Sequence, residues 1–115
     1  MLPNRIQLSS QVEEQLKRLK SFTGINPNIS ARIAFFKSVE SGYRFDGDDY
    51  KTDGKMNMDK AVWLGDTTVA TELILKMLYP SFDAKKLMQA WAAHVNDGTS
   101  SLRNYRSILS FAEVL

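Results

Sequence analysis

The chain begins with a strand that cannot stand alone. Leu2, Asn4, Ile6 and Leu8 fall on one face of an extended segment, and Pro3, Arg5 and Gln7 fall on the other. This is the period-2 alternation of a half-buried strand. A single strand of this length is not stable in water. It requires a partner, supplied either elsewhere in the chain or by a second copy. Pro3 weakens a ladder at the N-terminal end, because it has no N–H to donate.

Most of the remaining chain reads as helix. Ser10-x-x-Glu13 has the form of a capping box and predicts a helix start. Val12, Leu16, Leu19 and Phe22 trace its apolar stripe, with Glu13, Glu14, Lys17, Arg18 and Lys20 on the remaining faces. The acids precede the bases, as the helix dipole favours. Gly24 is the expected stop. Asn26-Pro27-Asn28 opens a second helix. Its expected apolar stripe is Ile29, Ile33, Phe36 and Val39/Glu40, with Phe35 beside it, and Gly42 ends it. Residues 43–60 are polar, and Asp46-Gly47 and Asp53-Gly54 favour tight turns. They predict an exposed long loop or irregular hairpin.

The final third is also helical in pattern. Asp66 is expected to cap a helix through Tyr79, with Val69, Leu73, Ile74, Met77 and Leu78 apolar and Pro80 as the stop. Ser81 or Asp83 caps a helix to Val95 that carries Leu87, Met88, Ala90, Trp91 and Val95, closed by Asn96-Asp97-Gly98. Ser100 caps a last helix with Leu102, Tyr105, Ile108, Leu109 and Ala112. The expectation is a mainly α chain with one short N-terminal strand. With 115 residues, one domain is expected, in three parts: 1–42, the loop 43–60, and the C-terminal helices 61–115.

Composition narrows the chemistry. The chain has no cysteine. That excludes disulfides, thiolate nucleophiles, zinc–thiolate sites and cysteine-ligated iron–sulfur clusters. The chain cannot carry sulfur on a thiol of its own. No stretch reaches the roughly 20 apolar residues of a membrane span, and MLPNRIQLSS lacks the apolar core of a secretory signal. A cytoplasmic location is therefore expected. Net charge is only +2, but residues 1–41 hold six Lys/Arg against three Asp/Glu, and residues 42–66 hold four against six. The N-terminal third is the basic part, which points towards a polyanionic partner.

Candidate sites for chemistry fail on spacing. Gly42 to Gly47 has the glycine spacing of a phosphate loop, but Asp48 and Asp49 stand where Lys and Ser/Thr are needed. A calcium loop starting at Asp46 would put Tyr50, Lys51 and Asn57 at positions that need an acid, a glycine and a glutamate. His94 is the only histidine and has no set of metal-ligand partners in its spacing. It is read as a boundary residue near a helix C-terminus. No serine is spaced to suggest nucleophilic catalysis with it. Trp91 and Tyr105 lie on apolar stripes and are read as core, and Trp63 follows a loop. No metal, cofactor or catalytic residue is expected, and the chain is read as not an enzyme. Lys17, Arg18 and Lys20 on the first helix, and Arg32 and Lys37 on the second, are candidates for phosphate contact.

Two resemblances sharpen this reading. The strand RIQLS, helix QVEEQLKRLKSF, turn TGINPN and helix ISARIAFFKSVE resemble a ribbon-helix-helix module. Such modules pair two N-terminal strands into a ribbon that reads the major groove, which implies Arg5 and Gln7 facing outwards. The chain as a whole resembles the DndE family, from LPNRIQLS through TGINPNISARIAFFKS, GDTTVATELILKMLYP and WAAHVNDG. That family is the small subunit of bacterial DNA phosphorothioation, in which sulfur replaces a non-bridging phosphate oxygen.

The DndE resemblance implies a DNA-binding accessory that favours nicked duplex and assembles as a homotetramer. Its implied partners are a sulfurtransferase and an ATPase. Phosphate contacts are then assigned to Arg5, Lys17, Arg18, Lys20 and Lys37. The ribbon offers few base-reading side chains, so backbone contact suits this chain better than sequence reading. A ribbon-helix-helix repressor and a protein-only scaffold for the sulfurtransferase are the alternatives.

Overall fold

The computed structural model describes residues 1–102 and pairs the N-terminal strand within the chain. Strand β1, Arg5–Ile6, lies antiparallel to β2, Met58–Asp59, with Arg5 opposite Asp59 and Ile6 opposite Met58. Between them come α1 (Ser10–Thr23) and α2 (Pro27–Ser41). After β2 follow α3 (Lys60–Leu64), a single 3₁₀ turn (Gly65–Thr67), α4 (Thr68–Leu78) and α5 (Ala84–Leu102). The fold is mainly helical, with one two-stranded sheet near the N-terminus. A ribbon between two copies is thus not how β1 finds its partner. The loop before β2 is drawn back across α1 and lays Met58–Asp59 beside β1.

That loop is anchored rather than simply exposed. The Glu13 carboxylate is buried on α1 and accepts the backbone N–H groups of Lys55 (3.0 Å) and Met56 (2.8 Å). Gly54 N–H donates to Leu8 O at 2.7 Å. A Cβ at Gly54 would land on both the Glu13 carboxylate and the Leu8 carbonyl, so only glycine fits. Further back, Phe45 is buried and Tyr50 half-buried. The helix start moves with this network. Ser9, not Ser10, is the N-cap, and its Oγ accepts from Val12 N. Glu13 serves the loop instead of a capping box.

Helices α2 and α4 bury different faces from those their apolar stripes suggest. In α2 the buried residues are Ser30, Ala31, Ala34, Phe35 and Ser38, while Ile29, Ile33 and Phe36 are exposed or half-buried. In α4, Thr71, Glu72 and Leu75 are buried, and Val69, Leu73 and Met77 are 69%, 54% and 78% exposed. The cause in α2 is its neighbour. Helix α5 passes so close that a Cβ at Gly98 would land on the Ala34 carbonyl. Small side chains permit that approach and large ones forbid it.

Gly98 therefore acts as a contact residue inside α5, not as its stop, and the helix runs on to Leu102. Beyond Leu102, the last helix expected from the sequence lies outside the described residues. Around α5 gather Leu16 and Leu19 of α1, Phe35 of α2, and Trp63 and Leu64 of α3. Trp63 meets Trp91 edge to face, with ring centroids 5.6 Å apart, and its indole N–H donates to Ile6 O at 3.0 Å. Trp63 is thus a core residue that ties α3 to β1.

Candidate nucleic-acid interface

Helix α1 is fixed from three sides, which leaves one flank to solvent. Val12, Leu16 and Leu19 enter the core, Glu13 holds the loop, and Thr23 is buried at the C-terminal end. Gly24 closes the helix with φ of 75°, its N–H donating to Lys20 O at 2.7 Å. The exposed flank carries Lys17, Arg18 and Lys20 within four residues. Among the described residues none of the three makes a salt bridge.

The two other candidate cations sit on different elements. Arg5 is exposed on β1 and pairs with Asp59 across the ladder, Nη1 to Oδ1 at 3.3 Å, and its other Nη donates to Asn57 O. An exposed pair of this kind contributes at most about 1 kcal/mol, so a phosphate can compete for the guanidinium. Lys37 is half-buried on α2, where it lines both a groove and a neighbouring cleft. Three of the five candidates lie on the exposed surface of α1, where Glu14 is exposed too, and Arg5 and Lys37 sit on other elements. Arg32 is committed to the fold: Nε donates to Trp63 O at 2.8 Å and Nη2 to Val62 O at 3.1 Å.

The N-terminus of α1 is already filled. The Asp53 carboxylate accepts from Ser10 N at 3.0 Å, and that hydrogen bond holds its pKa below the ordinary carboxylate value. A helix N-terminus would otherwise attract phosphate. The amide of Ser10 at this helix end is thus already committed to a carboxylate of the same chain. The ribbon is likewise occupied, since Gln7 Nε2 donates to Gly54 O at 2.9 Å and Arg5 is paired. No outward ribbon side chain is left without a partner in its own chain for reading base edges.

His94 is fully buried rather than at a boundary. Its Nε2 lies 2.7 Å from Tyr79 Oη and its Nδ1 lies 2.9 Å from Ser38 Oγ. Tyr79 Oη also accepts the Phe45 N–H at 2.7 Å. The row Phe45–Tyr79–His94–Ser38 thus joins the loop, the end of α4, α5 and α2. Burial, helped by the nearby Arg44 charge and opposed by Asp97, pushes the His94 pKa down to about 4. A neutral, buried imidazole with both nitrogens bonded has a structural role, and a base this weak is poorly matched to neutral-pH catalysis. The sequence could not show this site, because its members are up to 56 residues apart. Among the described residues no group of three or more His, Asp or Glu could hold a metal ion. None of the described helices is long and apolar enough to cross a membrane.

Fold and surface together define a small helical protein whose prominent chemical feature is a basic helix flank. Comparison with known proteins gives this class a family. The family model described as DNA sulphur modification protein DndE matches residues 5–110. A crystal structure of DndE from Escherichia coli B7A, involved in DNA phosphorothioation modification, is 60% identical, with a TM-score of 0.87. The match covers 90% of this chain and 100% of that one. A crystal structure of a DndE glycine-to-lysine double mutant, involved in DNA phosphorothioation, is 57% identical, with a TM-score of 0.84. That match covers 89% of this chain and 99% of the other. The comparison with curated proteins found no match. The chain belongs to the DndE family of DNA phosphorothioation proteins.

Proposed function

We propose that this protein is a DNA-contacting accessory subunit of phosphorothioation, acting in the cytoplasm. It grips the duplex through backbone phosphates and helps position the sulfurtransferase and its ATPase partner on the strand to be modified. The observation that carries this reading is the α1 flank, where Lys17, Arg18 and Lys20 are exposed and unpaired among the described residues. Arg5 and Lys37 add contacts at the margins. Phosphates carry no sequence information, which suits a subunit that holds DNA while others choose the site. Nicked duplex is the preferred substrate in this reading, because a nick makes the duplex easier to bend against the basic helix. With no cysteine in the chain, sulfur activation falls to the other subunits, and this one positions without catalysing.

The same reading includes a homotetramer. Its support is the exposed apolar row Val69, Leu73 and Met77 on α4, a pattern that marks protein contact. Assembly would multiply the small charge of one chain. A ribbon-helix-helix repressor fits less well, because β1 pairs within its own chain and Arg5 and Gln7 are bonded there.

Fluorescence anisotropy on matched intact and nicked duplexes, across a salt series, tests the proposal. Tighter binding to the nicked duplex, with log K falling steeply against log salt, is expected. Each alanine substitution at Lys17, Arg18 or Lys20 should weaken binding uniformly across sequences and lower the salt slope by about 1. No binding to either duplex at physiological salt would overturn the reading and leave the protein-only scaffold in its place.

A further inference from the structure

The loop that crosses α1 carries a cation that helical periodicity could not place. Gly54 is buried, and both of its backbone groups are bonded. Its N–H donates to Leu8 O at 2.7 Å, and its O accepts from Gln7 Nε2 at 2.9 Å. The N–H groups of Lys55 and Met56 donate to the two oxygens of Glu13, at 3.0 and 2.8 Å. Gly54 faces inwards and Met56 is half-buried, so the exposed residue between them is Lys55. Among the described residues its ammonium makes no salt bridge. Lys51, the other lysine before β2, is also exposed, but it lies close enough to the Asp53 carboxylate to interact with it.

Glu13 fixes where Lys55 stands along α1. Lys17 is four residues on from Glu13 and Lys20 is seven, so the three positions share one face of the helix. The bond from Lys55 N–H to Glu13 therefore holds the Lys55 backbone about one helical turn from Lys17. Lys55, Lys17 and Lys20 follow one another along this face. From Glu13 to Lys20 the helix rises about 10 Å, the axial length of about three phosphate steps in one DNA strand.

We propose that Lys55 is a further phosphate contact for duplex DNA, held by the Glu13-anchored loop in line with Lys17 and Lys20. The proposal rests on the DNA reading of α1 and adds to it a station contributed by a different segment. Regular spacing of three cations on a fixed frame suits the repeating charge of a nucleic-acid strand.

Lys55→Gln, Lys17→Gln and Lys51→Gln, each in the full-length chain, remove the same single charge from different positions. Fluorescence anisotropy on one nicked duplex across a salt series gives the slope of log K against log salt for each. Lys55→Gln and Lys17→Gln should each lower the slope by about 0.9. Lys55→Arg should keep the full slope, and Lys51→Gln should leave it unchanged. An unchanged slope in Lys55→Gln beside a lowered one in Lys17→Gln would overturn the proposal and leave the DNA reading standing. An equal fall in Lys51→Gln would also overturn it, because the loop would then act as diffuse charge and not as a fixed contact. Absence of binding by the unsubstituted chain would overturn both the proposal and the reading on which it rests.

Discussion

Helix α2 offers two faces of opposite character. One carries Ser30, Ala31, Ala34 and Ser38 around a single large residue, Phe35, and it is buried against α5. The other carries Ile29, Ile33 and Phe36 and lines an open groove. On apolar area alone the second face should have won, at roughly 25 cal/mol per Å² buried. The first wins because it lets two backbones meet. Ala34 and Gly98 bring α2 and α5 together closely enough for Ser38 to reach His94 across the interface. Close packing along a whole helix outweighs the transfer energy of three side chains that retain partial cover elsewhere. Helix α4 repeats the contrast, with Leu75, Thr71 and Glu72 inside and Val69, Leu73 and Met77 outside. There the buried Glu72 is held by Lys60 Nζ at 2.9 Å and by the Leu2 N–H at 3.0 Å. Burial alone would raise its pKa, but these two partners outweigh that and lower it.

The largest expected effect tests the close approach itself. Gly98→Ala should improve local helix propensity by nearly 1 kcal/mol. Its methyl would nevertheless strike the Ala34 carbonyl, and backbone cannot give way as a flexible side chain can. A net loss of about 3 kcal/mol is expected by urea denaturation. A neutral or stabilising result would mean that α2 and α5 are further apart than described, and the contrast between the faces would collapse.

Second comes the pH dependence of the buried face. His94 titrates near 4 in the folded chain, below the ordinary value of 6.5. Between those values the unfolded chain binds more protons, so stability rises with pH across the window and is fully present above it. Moving from pH 7.5 to pH 5 should cost about 2 kcal/mol by this linkage. Chemical denaturation at the two pH values measures it. A flat profile would place His94 in contact with water.

A smaller effect comes from the partner of that ring. Ser38→Ala removes the Oγ that bonds His94 Nδ1 and should cost about 1.5 kcal/mol, the penalty of an unsatisfied buried polar group. The loss should be the same in chains with and without the Lys17, Arg18 and Lys20 side chains, because the two regions share no partner. Thermal denaturation of the variants in pairs would reveal any departure from additivity.

These contrasts explain what the sequence made legible and what it hid. The mainly α character, the N-terminal strand, α1 with its stripe from Val12 to Leu19, and the glycine stops at Gly24 and Gly42 follow local rules, and the structure has them all. The exposed basic flank of α1 was legible as the complement of that stripe. Hidden were the features set by residues far apart. β2 is two residues long and carries no strand signal of its own. The carboxylate of Glu13 bonds backbone 42 and 43 residues away. In α2 periodicity marks the larger apolar face but cannot say that a neighbour takes the small one, and in α4 it cannot say that Glu72 turns inwards to Lys60 and the Leu2 N–H. In sequence Gly98 reads as a stop because its neighbours Asn96 and Asp97 are stop residues too. Only the position of Ala34 shows why a glycine belongs in mid-helix.

The smallest expected effect bears on the exposed face. Ile29 is 37% exposed on the open groove, so Ile29→Ser should cost only a few tenths of a kcal/mol by urea denaturation, as surface substitutions do. A loss of about 2 kcal/mol would mean that the larger apolar face is covered in solution. The two faces of α2 would then differ in what covers them, not in whether they are covered.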